Sequence, residues 1–352
     1  MTRHADPREH TMENETNQAY DVVVVGGGAA GLSAALVLGR SRRRVLVVDA
    51  GEPRNAPAAH MQGYLSRDGM PPAEFLGEGR RELERYDVEV VRDRVTAVSP
   101  DADGEFAVGL ADGGAVHARR VVLATGVVDE LPDVPGVAER WGRDVLHCPY
   151  CHGWEVRDEA FGVLAPEPFT SHQALLVTQW SKDVTLFLHT VRDLPDAEWE
   201  RLAAAGVQVV EGEVAGVEAG ADGLTGVRLA DGRVFPRSVL FVASKPVLRD
   251  GLLSALGAEF RETPVGPYPV VDETFRTTVP GVWAVGNAAG PMEQVINAAG
   301  AGYRAGTVIN AELRMKDIEA EAARRRAGVF TPEAEAAVSR TTAGARIHGL
   351  AS

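Results

Sequence analysis

The sequence predicts an α/β chain built from two doubly wound domains, each a parallel sheet covered by helices, with one domain inserted into the other. Three observations lead to this prediction. A buried strand at residues 21–25 is followed by a glycine loop, a helix and another strand. The same succession of segments occurs again later in the chain. Short stretches that contain proline, at 131–136 and 244–246, mark the two crossings between the domains.

Composition and charge limit the function classes. Of the 352 residues, 45% are hydrophobic and 24% are charged, as in ordinary globular proteins. The net charge of -14 argues against nucleic acid and an anionic membrane as partners. Residues 1–19 are polar, lack the apolar segment of a secretion signal and are predicted to be a disordered leader. No apolar run reaches the roughly 18 residues of a membrane span, so a cytoplasmic location is expected.

The first glycine loop has the features of a Rossmann-like dinucleotide site. It lies between the strand at 21–25 and a helix at 32–40, and its residues are Gly26, Gly27, Gly28, Ala29, Ala30 and Gly31. Glycine at 26 and 28 lets a pyrophosphate approach the backbone N–H groups at the helix start, and Gly31 permits close packing of helix on strand. Asp49 ends the next strand, where a carboxylate can accept a hydrogen bond from a ribose hydroxyl. The alternative is a glycine-rich turn that binds no ligand.

An internal repeat predicts the second domain. Segments 119 residues apart resemble one another: 88–91 and 207–210, 110–113 and 229–232, and 121–125 and 240–244. The second domain begins with a strand at 161–165, a helix at 171–181 and a strand at 184–189, aligned with the first domain at an offset of 139 residues. Each domain is therefore predicted to carry a meander closed by Asp-Gly turns and a final buried strand.

Two further segments resemble the signature segments of flavoproteins that bind two dinucleotides, and this resemblance implies FAD. The first, at 121–126, is a strand that ends in the turn containing Thr125 and Gly126. The second, at 277–287, is another strand and turn that ends with Gly286 and Asn287. That family usually has Asp where this chain has Asn287, and an amide can still bond a ribityl hydroxyl.

A helix at 290–306 is expected to face the pyrimidine end of the flavin with its N-terminus, near Gln294 and Val295. Its dipole would stabilise negative charge on the reduced ring.

The predicted domain limits follow from the repeat and the crossings. The FAD-binding domain comprises 20–136 and 246–330, and the inserted domain comprises 137–245. A long charged helix is predicted near 308–326. The tail at 331–352 has weak periodicity and is expected to be mobile.

The only two cysteines form a CxxC motif, Cys148-Pro149-Tyr150-Cys151, followed by His152. Such a pair can close a redox-active disulfide or bind metal. A zinc site needs four ligands, and His147 and His152 would place all four within six consecutive residues, a poor tetrahedral arrangement. No metal is therefore expected. The remaining alternative is a pair of buried, unreactive cysteines.

Over about residues 20–315 the chain resembles the low-molecular-weight thioredoxin reductase family, through the glycine loop, the two signature segments and the CxxC. The resemblance implies a homodimer in which Cys151 faces the flavin as the charge-transfer thiolate and Cys148 exchanges with the substrate. The family has an acid after the second cysteine, and His152 stands there instead. Histidine titrates near neutrality and can take the proton of a thiol, or it can be a structural residue with a hydrogen-bond partner.

The second nucleotide loop has lost the residues that bind phosphate. The repeat maps the first loop onto residues 165–170, which read Ala-Pro-Glu-Pro-Phe-Thr and contain no glycine. The two prolines remove N–H donors, and Glu167 would place a negative charge beside the phosphates. Leu188 stands where the first domain has Asp49, and the basic cluster is reduced to Arg192 beside Asp193. NADPH binding in the usual manner is therefore not expected.

A Cys-Pro-Tyr-Cys-His-Gly motif combined with such a loop resembles the dithiol oxidase branch of the family. That resemblance implies that a small-molecule or protein dithiol reduces FAD through Cys148 and Cys151, and that O2 takes the electrons. Two alternatives remain open: a thioredoxin reductase-type enzyme supplied by NAD(P)H or ferredoxin, and a flavin-bound redox sensor without catalysis.

Overall fold

The structure, a computed structural model, describes residues 19–102, 104–164, 170–329 and 332–344. The chain divides after Gly306 into two compact units, which are described separately. Nearly all of the predicted leader lies outside the described residues, and its last residue, Ala19, begins the first strand. No helix in these ranges has both the length and the apolar character needed to cross a membrane.

The described residues alternate between strands and helices, as the sequence predicts. The strands are β1 (Ala19–Val25), β2 (Val45–Val48), β3 (Glu89–Val91), β4 (Val95–Pro100), β5 (Phe106–Leu110), β6 (Ala115–Leu123), β7 (Val127–Glu130), β8 (Val145–Leu146), β9 (Phe161–Leu164), β10 (Val184–Phe187), β11 (Gln208–Val210), β12 (Val214–Ala219), β13 (Leu224–Leu229), β14 (Val234–Pro236), β15 (Val239–Val242), β16 (Lys245–Leu248), β17 (Phe260–Thr263), β18 (Gly266–Pro269) and β19 (Val282–Ala284). The helices are α1 (Ala29–Arg40), α2 (Pro72–Glu84), α3 (Val137–Arg140), α4 (Pro149–His152), α5 (Thr170–Val177), α6 (Asp196–Ala204), α7 (Gly251–Ala255), α8 (Val295–Val329) and α9 (Pro332–Gly344).

The first sheet has seven strands around the buried valine run of β1. Its order is β3-β2-β1-β6-β5-β4, and β19 pairs with the C-terminal half of β6. Strands β3, β2, β1, β6 and β19 are parallel, whereas β5 and β4 continue from β6 as an antiparallel meander. Strand β2 and the C-terminal halves of β1 and β6 are continuous apolar runs, as expected where both faces of a parallel sheet are covered.

The second sheet repeats this plan with five parallel strands in the order β11-β10-β9-β15-β8. Its meander, β12-β13-β14, forms a separate antiparallel sheet. Apolar clusters that include Phe161, Phe241 and Leu240 cover this sheet. The predicted fold class, two Rossmann-like α/β domains, is confirmed by this pair of sheets.

The two crossings between the sheets are paired with each other. Strand β7 leaves the first sheet, β16 returns to it, and the two form a short antiparallel sheet in which Lys245 opposes Glu130. The predicted crossings at 131–136 and 244–246 adjoin these strands, and both sheets lie in the same compact unit. The exact domain limits drawn from the sequence stay a prediction.

One long helix replaces the two predicted near the C-terminus. Helix α8 begins at Val295, five residues later than predicted, and continues through residue 306 to Val329. The predicted helix ended at Gly306, but this glycine and Gly302 pack against α1: a Cβ on Gly302 would collide with the Ala30 carbonyl, and one on Gly306 with Val37. Here glycine permits close helix packing on α1 and does not terminate the helix.

Within the second compact unit, part of the predicted tail forms α9. This helix begins at Pro332 and has Glu333 and Glu335 in its first turn. Proline at the first helical position and acids beside the positive end of the helix dipole are both helix-start signals. Because the apolar periodicity of the segment is weak, the sequence did not predict this helix.

Candidate active site

The glycine loop is shaped by close backbone contacts. A Cβ on Gly31 would collide with the Gly26 carbonyl. Because glycine has no Cβ, α1 can pack directly on the end of β1. Gly26 itself has φ +107°, a left-handed conformation that favours glycine, and a Cβ there would collide with the Ala124 carbonyl of the neighbouring turn. These two positions therefore require glycine for packing, whatever the loop binds.

Gly28 differs, because the space beside it is open. No heavy atom of the described residues lies within 4 Å of where its Cβ would stand. It is the N-cap of α1, which starts at Ala29 and has neither a side-chain cap nor an acid in its first turn. Helix N–H groups beside open space form an anion site, so the loop fits the pyrophosphate of FAD.

The backbone orients Asp49 toward the same loop. Its Oδ1 accepts the N–H of Gly27 at 3.1 Å and that of Gly51 at 3.2 Å. Both bonds go to one oxygen, which leaves Oδ2 to accept from a ribose hydroxyl. The ribose role of Asp49 fits this geometry and stays a prediction.

The two other predicted flavin segments meet the glycine loop. Gly126 follows Thr125 in the turn after β6 and has φ +66°. No heavy atom of the described residues lies within 4 Å of where its Cβ would stand. Gly286 has φ +63°, and a Cβ on it would lie 2.9 Å from that of Ala30 in the first turn of α1. The structure thus brings the three segments together at the start of α1, a cradle with open space beside Gly28 and Gly126, and their contacts with a dinucleotide stay predictions.

Asn287 has a structural reason to be an amide. Its Nδ2 donates to the carbonyl oxygens of Gly290 and Pro291, both at 3.2 Å, in the loop that leads into α8. A carboxylate has no hydrogen to donate and would repel both oxygens. The Oδ1 can still accept from a ribityl hydroxyl, and this role of Asn287 stays a prediction. The loop contacts, which the sequence did not predict, come in addition.

The cysteine pair lies at the start of α8. Cys148 and Cys151 form a disulfide with a Cα–Cα distance of 5.2 Å, at the one-turn helix α4. Gln294, the residue before α8, places its Oε1 3.3 Å from the Cys151 sulfur and its Nε2 3.6 Å from the Cys148 sulfur. Residues more than 140 positions apart are thereby brought together, and the disulfide contacts a residue that the sequence predicts to lie near the flavin. Val295 then begins the helix.

His152 is half-buried beside the disulfide. Its Nδ1 is buried without a hydrogen-bond partner among the described residues. Burial lowers the pKa of His152 below its ordinary value of 6.5, and the charge of Glu155 and the Cys148 carbonyl oppose this only in part. The ring is therefore neutral at pH 7 and can accept a proton released near the sulfur atoms.

A polar network that no sequence motif predicts lies beside the cysteine pair, because it includes His147, the residue before Cys148. It joins Arg54, Asp129, Ser244 and His147, which come from distant parts of the chain. From the sequence, His147 was only a possible zinc ligand. Its position directly before Cys148 was the one available signal.

The second sheet has no matching cradle in its described part. The loop residues 165–169 lie outside the described residues, so their loss of phosphate contacts stays a prediction from the sequence. Leu188, the counterpart of Asp49, is buried directly after β10. The cleft beside it is lined by Arg192 together with Glu211 and Glu213, whose negative charges oppose a phosphate.

Fold and site together define an FAD-dependent oxidoreductase that acts on sulfur groups. A family model described as pyridine nucleotide-disulphide oxidoreductase matches residues 20–302, and the chain belongs to this family. Membership of this family confirms both the enzyme class and the FAD cofactor predicted from the sequence.

Three relatives support this assignment. Thioredoxin reductase sirT of Leptosphaeria maculans is 33% identical over 317 residues, which cover 86% of this chain and 96% of the relative. Thioredoxin reductase tcpT of Claviceps purpurea is 33% identical over 309 residues, covering 85% and 95%. The crystal structure of HlmI is similar with a TM-score of 0.84 at 48% identity, covering 89% of this chain and 98% of that one.

The role of the Asn287 amide can be tested directly. Asn287→Asp is expected to weaken FAD binding by about 10-fold to 100-fold, because two hydrogen bonds are lost and a charge faces two carbonyl oxygens. Asn287→Ala, which loses the donors without adding charge, should fall between this variant and the wild type. The measurement is FAD release, followed by the fluorescence of free flavin. Equal affinity of Asn287→Asp and wild type would contradict this role, even though the family usually has Asp there.

Proposed function

We propose that this chain is an FAD-dependent dithiol oxidase, which forms a disulfide in a small-molecule or protein dithiol and passes the electrons to O2. The contrast between the two sheets carries the proposal. The first sheet carries the glycine loop with open space beside Gly28, and the disulfide contacts Gln294, which the sequence predicts to lie near the flavin. The second has Leu188 in place of the ribose acceptor, and its loop sequence contains two prolines and an acid. A dithiol substrate then becomes the source of electrons.

The cysteine pair would carry out thiol–disulfide exchange. A substrate thiolate attacks the Cys148 sulfur, the bond between the cysteines breaks, and Cys151 leaves as a thiolate. The second substrate thiolate then attacks the substrate sulfur of this mixed disulfide. The product disulfide departs, and Cys148 is left reduced.

The electron pair then moves onward, since the cysteine disulfide must be restored. Bound FAD would supply the two-electron acceptor beside Cys151 and the centre that reacts with O2. Gln294 would keep the sulfur atoms at the start of α8, where the helix dipole favours negative charge. The sum is one dithiol and one O2 converted to one disulfide and one hydrogen peroxide.

His152 would manage the protons of this cycle. Its neutral ring with a buried, unpartnered Nδ1 can accept the proton of an attacking or reforming thiol. A homodimer and the assignment of Cys148 as the exchanging sulfur rest on the family resemblance, and a cytoplasmic location rests on the sequence; all three stay predictions.

The second candidate is a disulfide reductase that runs the same cysteine chemistry in reverse. The names of the relatives, thioredoxin reductase sirT and tcpT, favour it. Such an enzyme would need NAD(P)H at an unconventional site, or a protein donor such as ferredoxin. Glu211 and Glu213 beside Arg192 make the usual phosphate position unfavourable for NADPH.

The proposed reaction is tested by its stoichiometry. With dithiothreitol as substrate in air, the FAD-loaded protein should consume one O2 and release one peroxide per disulfide formed, as measured with an oxygen electrode and a peroxide assay. Cys148→Ser and Cys151→Ser should each abolish turnover and retain FAD. Turnover by the wild type that needs added NADPH, or that both serine variants retain, would refute the oxidase proposal.

The proton role of His152 predicts a pH dependence. Because the pKa of His152 is lowered, the ring is a free base above pH 6.5 and loses this capacity only as the pH falls through its depressed pKa. The ratio of wild-type to His152→Gln rates of flavin reduction by dithiothreitol should be about 100-fold at pH 7 to 8 and fall towards one in acid. The ratio cancels the titration of dithiothreitol itself. A ratio near one throughout would show that His152 is structural.

A further inference from the structure

Arg54 and Asp129 form the anchor of the network beside the cysteine pair. Arg54 Nε and Nη2 donate to the two oxygens of Asp129 at 2.8 and 2.7 Å, a bidentate pair in which the Asp129 side chain is only 11% exposed. Ser244 Oγ donates to Asp129 Oδ1 at 2.7 Å. Burial opposes the charge of Asp129, but the Arg54 and Ser244 donors outweigh it and keep the pKa of this carboxyl low. The anchor is therefore charged and fixed.

The network fixes which nitrogen of His147 carries the proton. The single hydroxyl hydrogen of Ser244 is used by Asp129, so Ser244 Oγ can only accept from His147 Nδ1, at 3.3 Å. The Val242 carbonyl, at 3.2 Å, is also an acceptor. Nδ1 therefore carries a hydrogen, and the Ser244 backbone N–H, 3.4 Å away, is a neighbour and not a donor to it.

The segment that carries Cys148 is also held through its backbone. Gln173 on α5 donates its Nε2 to the His147 carbonyl at 2.8 Å, and this glutamine is buried. His147 is thus fixed at its ring and at its carbonyl, one residue before the exchanging cysteine.

The network joins residues from both crossings and from both sheets. Asp129 lies on β7 and Ser244 directly before β16, so both crossings between the two sheets contribute a residue. Arg54 follows β2 of the first sheet, and His147 follows β8 of the second. Rotation of one sheet against the other about these crossings would break the contacts of His147 with Ser244 or of Asp129 with Arg54.

We propose that His147, through Ser244 and Asp129, is a positioning residue that holds the Cys148–Cys151 pair at the start of α8 for electron transfer to the flavin. The network is a latch across the crossings, and the contact of Gln294 with both sulfur atoms is the geometry that it maintains. This proposal concerns only the passage of electrons from the cysteines to FAD. It therefore holds whether O2 or another acceptor completes the cycle.

The test separates chemistry at the sulfur atoms from transfer to the flavin. FAD-loaded protein is mixed anaerobically with one equivalent of dithiothreitol. Free thiols are trapped by rapid alkylation, while flavin absorbance is followed in parallel. In Ser244→Ala and His147→Phe, the thiols of Cys148 and Cys151 should form at the wild-type rate. The flavin should bleach about 10-fold more slowly, because the cysteine pair samples other positions.

Two further variants make the result specific. His147→Asn should restore fast bleaching, because its Nδ2 can donate where His147 Nδ1 does. Ser238→Ala removes a surface bond to Glu159, 2.8 Å long, away from the crossings, and should behave as wild type. The latch is refuted if Ser244→Ala and His147→Phe bleach at the wild-type rate. It is also refuted if thiol formation and bleaching slow down together, since that result indicates a general structural defect.

Discussion

The proposed chemistry depends on one contact between distant parts of the chain, the approach of the Cys148–Cys151 disulfide to Gln294 at the start of α8. The cysteines belong to the segment between the crossings, whereas Gln294 belongs to the part that carries the dinucleotide cradle. Electrons can pass between sulfur and flavin only if these parts stay in register. The paired crossing strands β7 and β16 and the polar network around Asp129 both act on this single distance.

Small residues near the glycine loop also determine where α8, and with it Gln294, lies. Gly286, before α8, and Gly302, on α8, both lie against Ala30 in the first turn of α1, and Gly302 lets α8 pack backbone to backbone on α1. A larger residue at either position would push α8, and with it Gln294, away from the disulfide. Glycine thus has two separate uses in this site. The space beside Gly28 is open, as the predicted pyrophosphate site requires, and Gly302 sets the position of α8.

The features that could be predicted from the sequence are those written in local patterns. The glycine loop, the apolar parallel strands, the internal repeat and the CxxC each occupy a few adjacent residues. The predicted helix end at Gly306 is wrong, because a glycine that ends a helix and one that permits packing against Val37 look the same in sequence. The network of Arg54, Asp129, Ser244 and His147 has no local pattern at all, since its members meet only after both sheets form. The donors of Asn287 likewise find their acceptors only in the folded loop.

The central claim is that a dithiol, and not a nicotinamide, reduces this flavin. The most direct measurement is an anaerobic absorbance titration of the FAD-loaded protein, first with stoichiometric NADPH and then with dithiothreitol in the same cuvette. The account predicts little bleaching with NADPH, complete bleaching with dithiothreitol, and return of the yellow colour when air is admitted. Prompt stoichiometric bleaching by NADPH would contradict the account and make the chain a conventional disulfide reductase.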